Sequence, residues 1–193
     1  MKNLIMALLP FIAAFAIAGN LEAAGKPKVH FKTSMGDFTI ELEPEHAPQT
    51  VANFLQYVRD GHYDGLIFHR VIKAFMVQGG GFDAKYQKKT TRAPVENEAD
   101  KGISNERGTI AMARTGDPHS ATNQFFINSK FNGFLNHRSK SQQGWGYTAF
   151  GRVIDGMNIV GRISRVETGS GGPFLSDVPV EPIIIEKAKI ISD

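Results

Sequence analysis

Arg70, Met76 and Gln78 lie in two short runs, Phe68-His69-Arg70-Val71-Ile72 and Phe75-Met76-Val77-Gln78-Gly79-Gly80-Gly81, joined by Lys73-Ala74. A permanently charged guanidinium, a polarisable thioether and a primary amide beside large apolar groups suit a flexible apolar ligand that carries carbonyls. They offer no nucleophile. Both runs are rich in strand formers, and the second ends in glycines, the pattern of a strand pair. Strand alternation predicts Phe68 and Arg70 on one face of the first strand and Met76 and Gln78 on one face of the second. It turns His69 to the opposite face, as a packed and hydrogen-bonded residue. The glycines are expected to leave backbone exposed nearby.

Patterns for other chemistries are missing from the sequence. Among His30, His46, His62, His69, His119 and His137 no two stand four residues apart, and the chain has no cysteine. Metal-ligand spacing is therefore not found, and neither a metal nor a cofactor is expected. No Gly-x-Ser-x-Gly elbow occurs. Neither Gly79-Gly80-Gly81 nor Gly169-Ser170-Gly171-Gly172 continues into a phosphate-binding loop.

With 193 residues, 41% hydrophobic and 21% charged, the composition is that of an ordinary single domain with its own core. Without cysteine, that core alone must hold the fold. A net charge of +3 gives no sign of a nucleic-acid partner. The group Lys85, Lys88, Lys89, Arg92 precedes Glu96, Glu98 and Asp100 and reads as a solvated loop. The N-terminus has a separate character. Lys2, the uncharged apolar run Leu4–Ala18 and the small residues Ala23-Ala24-Gly25 have the layout of a secretory signal peptide. The run is short for a membrane span, which needs about 20 apolar residues. A leader over 1–24, cleaved after Ala23, Ala24 or Gly25, is expected, leaving one domain over 25–193.

The elements that must position Arg70 and its neighbours follow from periodicity and punctuation. Val29–Thr33 and Asp37–Leu42 flank Ser34-Met35-Gly36 as a hairpin. Ala47–Asp60 reads as a helix, with Pro48 in its first turn, an apolar stripe at Val51, Phe54, Leu55 and Val58, and Gly61 as its stop. A polar stretch from Phe82 to Arg107 has little periodicity. Strands are predicted at Thr109–Ala113, Gln124–Asn128, Tyr147–Ile154 and Glu181–Ile191, and a second helix at Asn158–Ile163. Many short strands with two helices predict a mostly β fold, a closed antiparallel barrel capped by helices.

Several multi-residue blocks then resemble one family in order and spacing. They are Phe68-His69-Arg70-Val71-Ile72, Phe75 to Gly80, Asn97-Glu98, Arg107 to Ala113, Gln124-Phe125-Phe126-Ile127 and Phe150-Gly151-Arg152-Val153. From about Val29 to Ile191 the chain is similar to the cyclophilins, which are peptidyl-prolyl cis-trans isomerases. Arg114-Thr115 and Ser120-Ala121-Thr122, together with the leader, resemble the bacterial periplasmic branch. The resemblance implies a closed eight-stranded antiparallel β-barrel with two helices. It implies Arg70 as the catalytic arginine, with Phe75, Met76, Phe126 and Leu135 in a proline pocket. Gln78 and Gln124 would lie near the substrate backbone, and Ala113 and Arg114 on the peptide-binding edge.

Two positions depart from the family pattern. Phe134 stands where many members have tryptophan, which removes an indole donor and weakens the expectation of tight cyclosporin binding. Tyr147 stands for a pocket histidine, beyond an insert from Asn136 to Gly146. The implied substrates are proline-containing peptides and folding exported proteins. The protein is expected to be a monomer, without a membrane after leader cleavage. The alternative is a non-catalytic module that binds proline peptides as a chaperone.

Overall fold

The computed structural model describes residues 25–192. The expected leader lies outside these residues. Val29, Phe31 and Thr33 point inward along β1 (Lys28–Thr33), and across the turn they face Ile40, Phe38 and Gly36 of β2 (Gly36–Leu42). The rings of Phe31 and Phe38 stack with centroids 4.9 Å apart, so the predicted hairpin forms with one ring-lined face. Helix α1 (Pro48–Arg59) starts at a proline, whose missing N–H would have had no helical partner anyway. It buries the predicted stripe and adds Thr50 and Tyr57 to it.

Short strands follow: β3 (Arg70–Ile72), β4 (Met76–Gly79), β5 (Thr109–Met112), β6 (Phe125–Asn128) and β7 (Ala149–Asp155). Helix α2 (Met157–Ile163) comes next, entered through Gly156 at φ 76°, where a Cβ would collide with the carbonyl oxygen of Asp37. The hairpin of β8 (Thr168–Gly171) and β9 (Phe174–Pro179) was not predicted. The chain closes with β10 (Ile185–Ser192), which starts four residues later than the sequence suggests.

Eight strands form one antiparallel sheet in the order β10-β1-β2-β7-β5-β6-β4-β3. The sheet is a curled, open half-barrel, which corrects the expectation of a closed barrel. Its edge strands β10 and β3 share no ladder; the seam is crossed ahead of β3, by the isolated bridge Ile67 to Ile184 and by backbone hydrogen bonds of Gly65 and Leu66 with Ile185. The reason lies in the segment before β3. Ile67 N–H donates to Phe82 O at 2.8 Å and Phe68 N–H donates to Ile183 O at 2.9 Å, so its donors are divided between two neighbours. No continuous strand spans the seam.

This segment also overturns the predicted pairing of Phe68 with Arg70. Regular strand geometry begins only at Arg70, and Phe68 is buried in the main core while Arg70 is exposed. His69 is buried on the other side as predicted, stacked on Phe174 of the β8–β9 hairpin at 5.6 Å and edge-on to Phe82 at 4.8 Å. Its ring has a hydrogen bond with the Ile67 backbone, but Nδ1 has no partner among the described residues.

The three glycines after Gln78 are buried, not exposed as expected. A Cβ at Gly79 would lie 2.8 Å from the Phe68 ring, and one at Gly81 would lie 2.5 Å from Cδ of Gln124. They permit close packing, and the second lets Gln124 lie against the chain. The basic loop is tied down locally. Lys89 Nζ donates to the carbonyls of His62 and Asp64 at 2.6 and 2.9 Å, and Arg92 pairs with Asp60 at 2.9 Å.

Candidate active site

On the outer face of the sheet, register sets the site. Arg70 pairs with Gln78, Gln78 with Phe126, Phe126 with Ala111, and Ala111 with Ala149. Directly opposed residues project to the same face, so one row of side chains crosses β3, β4, β6, β5 and β7. The next row brings Ile72 opposite Met76. Met76, Ala111, Phe126, Leu135 and Ala149 form a small apolar cluster, separate from the main core, with Phe75, Ala113 and Tyr147 packed against it.

Above this cluster opens a cavity of about 340 Å³, lined by Arg70, Phe75, Met76, Gln78, Ala113, Arg114, Phe126, Phe134, Leu135 and Tyr147. A second cavity of about 240 Å³ adjoins it, sharing Gln78, Ala113 and Arg114 and adding Thr115, Ser120, Thr122 and Gln124. Every site residue named from the sequence thus lines one of two adjoining cavities. Tyr147 falls in the lining as aligned, despite the insert before it. Thr115, Ser120 and Thr122 were not predicted as lining residues; their polar side chains on a loop carry no periodic signal.

The polar groups differ in how far the protein already satisfies them. Gln78 Nε2 donates to Gln124 Oε1 at 3.0 Å, which fixes both amides. Arg114 is held firmly. Its Nε donates to Gly146 O and its Nη1 to Thr115 O, both at 2.9 Å, and its guanidinium lies 4.5 Å above the Tyr147 ring. Among the described residues, Arg70 makes one side-chain hydrogen bond, from Nη1 to Gln78 Oε1 at 3.4 Å. That bond is long, and most of its five N–H donors face the cavity mouth and solvent without a protein acceptor.

The rim is shaped by a buried asparagine network. Phe134 and Leu135 ride on a single 3-10 turn, Gly133–Leu135. Asn132 Nδ2 donates to Phe75 O at 2.9 Å and to Asn128 Oδ1 at 2.7 Å. Asn128 donates to Asn105 at 3.1 Å, and Asn105 donates to Asn136 Oδ1 at 3.0 Å and to Tyr147 O at 3.1 Å. Two walls of the cavity, at Phe75 and at Phe134 to Tyr147, are therefore fixed to each other. Sequence reasoning missed this network, because isolated asparagines look like turn residues until a fold brings them together.

Glu98 and Asn97 tie the site to the body of the protein. Helix α1 has no capping side chain of its own. Glu98 supplies one from a distance, accepting from Gln49 N–H at 3.1 Å, Thr50 N–H at 2.8 Å and Thr50 Oγ1 at 2.7 Å. A buried carboxylate at a helix N-terminus satisfies orphan donors and meets the positive end of the dipole. Asn97 Nδ2 donates to Pro118 O and to Gly146 O, at 3.2 and 3.1 Å, which anchors the loops carrying Arg114 and Tyr147. Behind Arg70, burial pushes the His69 pKa down to about 4; the Ile67 hydrogen bond opposes this, and the neighbouring Arg70 charge adds to it.

Comparisons with known proteins agree with this geometry. A family model described as cyclophilin type peptidyl-prolyl cis-trans isomerase/CLD matches residues 28–190. A peptidyl-prolyl cis-trans isomerase (cyp18) of Streptomyces antibioticus is 58% identical over 163 residues, covering 84% of this chain and 98% of the relative. Peptidyl-prolyl cis-trans isomerase B of Escherichia coli is 52% identical over 162 residues, covering 84% and 98%. Isomerase A of Dickeya dadantii is 45% identical over 190 residues, covering 98% of both chains. Among solved structures, a cyclophilin-type isomerase of Cryptosporidium parvum, crystallised in the presence of the dipeptide Ala-Pro, superposes with a TM-score of 0.69. It is 27% identical and covers 86% of this chain and 99% of that one.

Proposed function

The chain belongs to the cyclophilin-type peptidyl-prolyl cis-trans isomerases, and on that premise we propose that Arg70 is the catalytic donor and the 340 Å³ cavity its proline site. Rotation about an X-Pro bond is opposed by amide resonance, a barrier of about 18–20 kcal/mol, and takes about 10–100 s unaided. Twisting the bond localises a lone pair on the prolyl nitrogen. A guanidinium hydrogen bond to that nitrogen stabilises the twisted state more than the planar one, which is the condition for catalysis. The observation that carries this reading is the uncommitted fork of Arg70 in the lining of the cavity that Phe75, Met76, Phe126 and Leu135 also line.

The remaining residues have complementary roles. Phe75, Met76, Phe126 and Leu135 hold the prolyl ring and exclude water, which disfavours the charge-separated planar amide. Gln78, kept in place by Gln124, is aimed at the carbonyl side of the bond. Ala113 and Arg114 present the edge along which the peptide runs, and Tyr147 supports Arg114 from below. Phe134 offers a ring but no donor at the rim. No proton is transferred and no covalent bond is broken, so the reaction asks for no general base.

The same reading places the enzyme in the periplasm as a monomer of residues 25–193, after removal of a leader ending near Ala23, Ala24 or Gly25. There it acts on proline-containing segments of exported proteins as they fold. The support is the layout of residues 1–24 and the match to the Dickeya dadantii relative over 98% of the chain.

The test is exchange kinetics on a short Ala-Pro peptide with the wild type and Arg70→Ala side by side. Losing one transition-state hydrogen bond is expected to lower turnover roughly 10²–10³-fold, by analogy with oxyanion donors, with melting unchanged. An Arg70→Ala protein within threefold of wild type would remove Arg70 from the mechanism.

A further inference from the structure

The turn that carries Phe134 also carries a feature that the proline site does not use. Its buried residues are Asn132 and Leu135, and the residues just before each, Phe131 and Phe134, point outward. Phe131 is 64% exposed and Phe134 is 62% exposed; among the described residues no other aromatic side chain is so open. A single exposed apolar residue needs no explanation, but two rings on one turn beside a cavity form a patch.

The patch is also preformed. The ring of Phe131 lies over Gly133, where a Cβ would come within 2.5 Å of its Cζ. Between the two rings, Asn132 is anchored to Asn105 O through its N–H at 2.8 Å and to Phe75 O and Asn128 through its side chain. Phe134 in turn stacks on Phe75 at 5.6 Å and lines the proline cavity. Phe134 thus lines the cavity, and Phe131 lies three residues before it on the same turn, outside the cavity lining. No carboxylate occurs from Ser129 to Leu135, so nothing on the turn repels an apolar group.

We infer that Phe131 and the outer face of Phe134 form an apolar subsite that receives a large apolar side chain flanking the proline of the substrate. The inference rests on the isomerase reading above and adds a sequence preference to it. The subsite touches the peptide but not the rotating bond, so it binds the planar and twisted states alike. Its effect falls on KM and not on kcat.

The experiment uses NMR exchange, which needs no protease, on Ala-Ala-Pro-Ala peptides with phenylalanine placed in turn at each alanine. In the wild type, one position is expected to raise kcat/KM roughly threefold to tenfold over alanine, the range that an aromatic pair supplies. In Phe131→Ser that ratio should fall to within about twofold of unity, and Phe131→Leu, which keeps apolar area but no ring, should fall between the two. Thermal melts of both variants establish that the fold is intact. A wild type indifferent to phenylalanine at every position overturns the subsite, and so does a preference that persists in folded Phe131→Ser. Arg70→Ala separates the two levels of the argument. It should lose exchange on every peptide while its peptide affinities keep the wild-type order. Retained exchange there would defeat the catalytic assignment and leave the subsite standing.

Discussion

Phe125 and Phe126 are neighbours in β6 with identical side chains, yet they belong to different regions of the molecule. Phe125 faces the inside of the curled sheet, where its ring lies 5.4 to 6.1 Å from those of Phe31, Phe54, Tyr63 and Phe68. Phe126 faces out, with Met76, Ala111, Leu135 and Ala149, and its ring lies 5.7 Å from that of Tyr147. The inner cluster is saturated with protein contacts. The outer one stops at a cavity, so part of its contact surface is left for a ligand. Strand alternation assigns adjacent residues to stability or to binding. The same division recurs at His69 and Arg70, where one neighbour is enclosed by Phe82 and Phe174 and the other is exposed and lines the cavity.

The sharpest way to break this comparison is to truncate each phenylalanine. Phe125→Ala should lose about 3–5 kcal/mol of stability, as expected for a buried aromatic that leaves a cavity. Phe126→Ala should lose less, because its cavity already opens to solvent, and it should also raise KM for proline peptides. Denaturant unfolding and peptide kinetics on both variants provide the check. Equal stability losses, with KM unchanged in Phe126→Ala, would abolish the distinction.

A second contrast is His69 against Arg70. Unfolded, His69 takes up a proton near the ordinary value of 6.5; folded, it does so only near pH 4. Between these values the unfolded chain binds a proton that the native fold excludes, so stability falls as pH drops from about 6.5 to about 4. The shift corresponds to about 3 kcal/mol. His62 is shifted the same way, by burial first and by Lys89 second, and adds to the slope. Urea midpoints at pH 7 and 4.5 should differ accordingly in wild type, and His69→Phe should flatten most of the difference. Turnover per folded molecule should show no matching step, since Arg70 keeps its charge throughout. A slope unaltered in His69→Phe would assign the acid sensitivity elsewhere.

The smallest expected effect concerns Glu98, which belongs to neither cluster but caps α1. Glu98→Gln keeps an acceptor and loses the charge, which should lower stability by about 1–2 kcal/mol. Turnover should stay within threefold, because the hydrogen bond from α1 to the second cavity, Asn53 Nδ2 to Thr122 O at 2.8 Å, does not involve Glu98. Thermal unfolding with kinetics decides it; a tenfold loss of turnover in a folded variant would mean that the helix end positions the site.

These pairs also explain what was legible beforehand. The hairpin at Ser34-Met35, the stripe of α1 and the strands around Met76, Ile110 and Phe126 are local patterns, so periodicity finds them. The β8–β9 hairpin lacks an apolar alternation and is held by Phe174 against His69, a contact that no local pattern announces. Alternation puts Phe68 on the wrong face, because regular strand geometry begins only at Arg70 and the backbone bonds before it are divided across the seam. The site residues were named by resemblance block by block, and register then brought them together. The asparagines behind them have no such signature.

By itself the sequence determined which residues could do chemistry, which segments extend or coil, and which family's blocks they follow, since each depends on neighbours along the chain. The tertiary structure alone decided that the sheet stays open, that the glycines after Gln78 are buried spacers, and that Arg70 is left uncommitted while Arg114 is tied down. Those outcomes depend on groups many residues apart competing for the same hydrogen bonds and space, and only the folded chain brings those groups together.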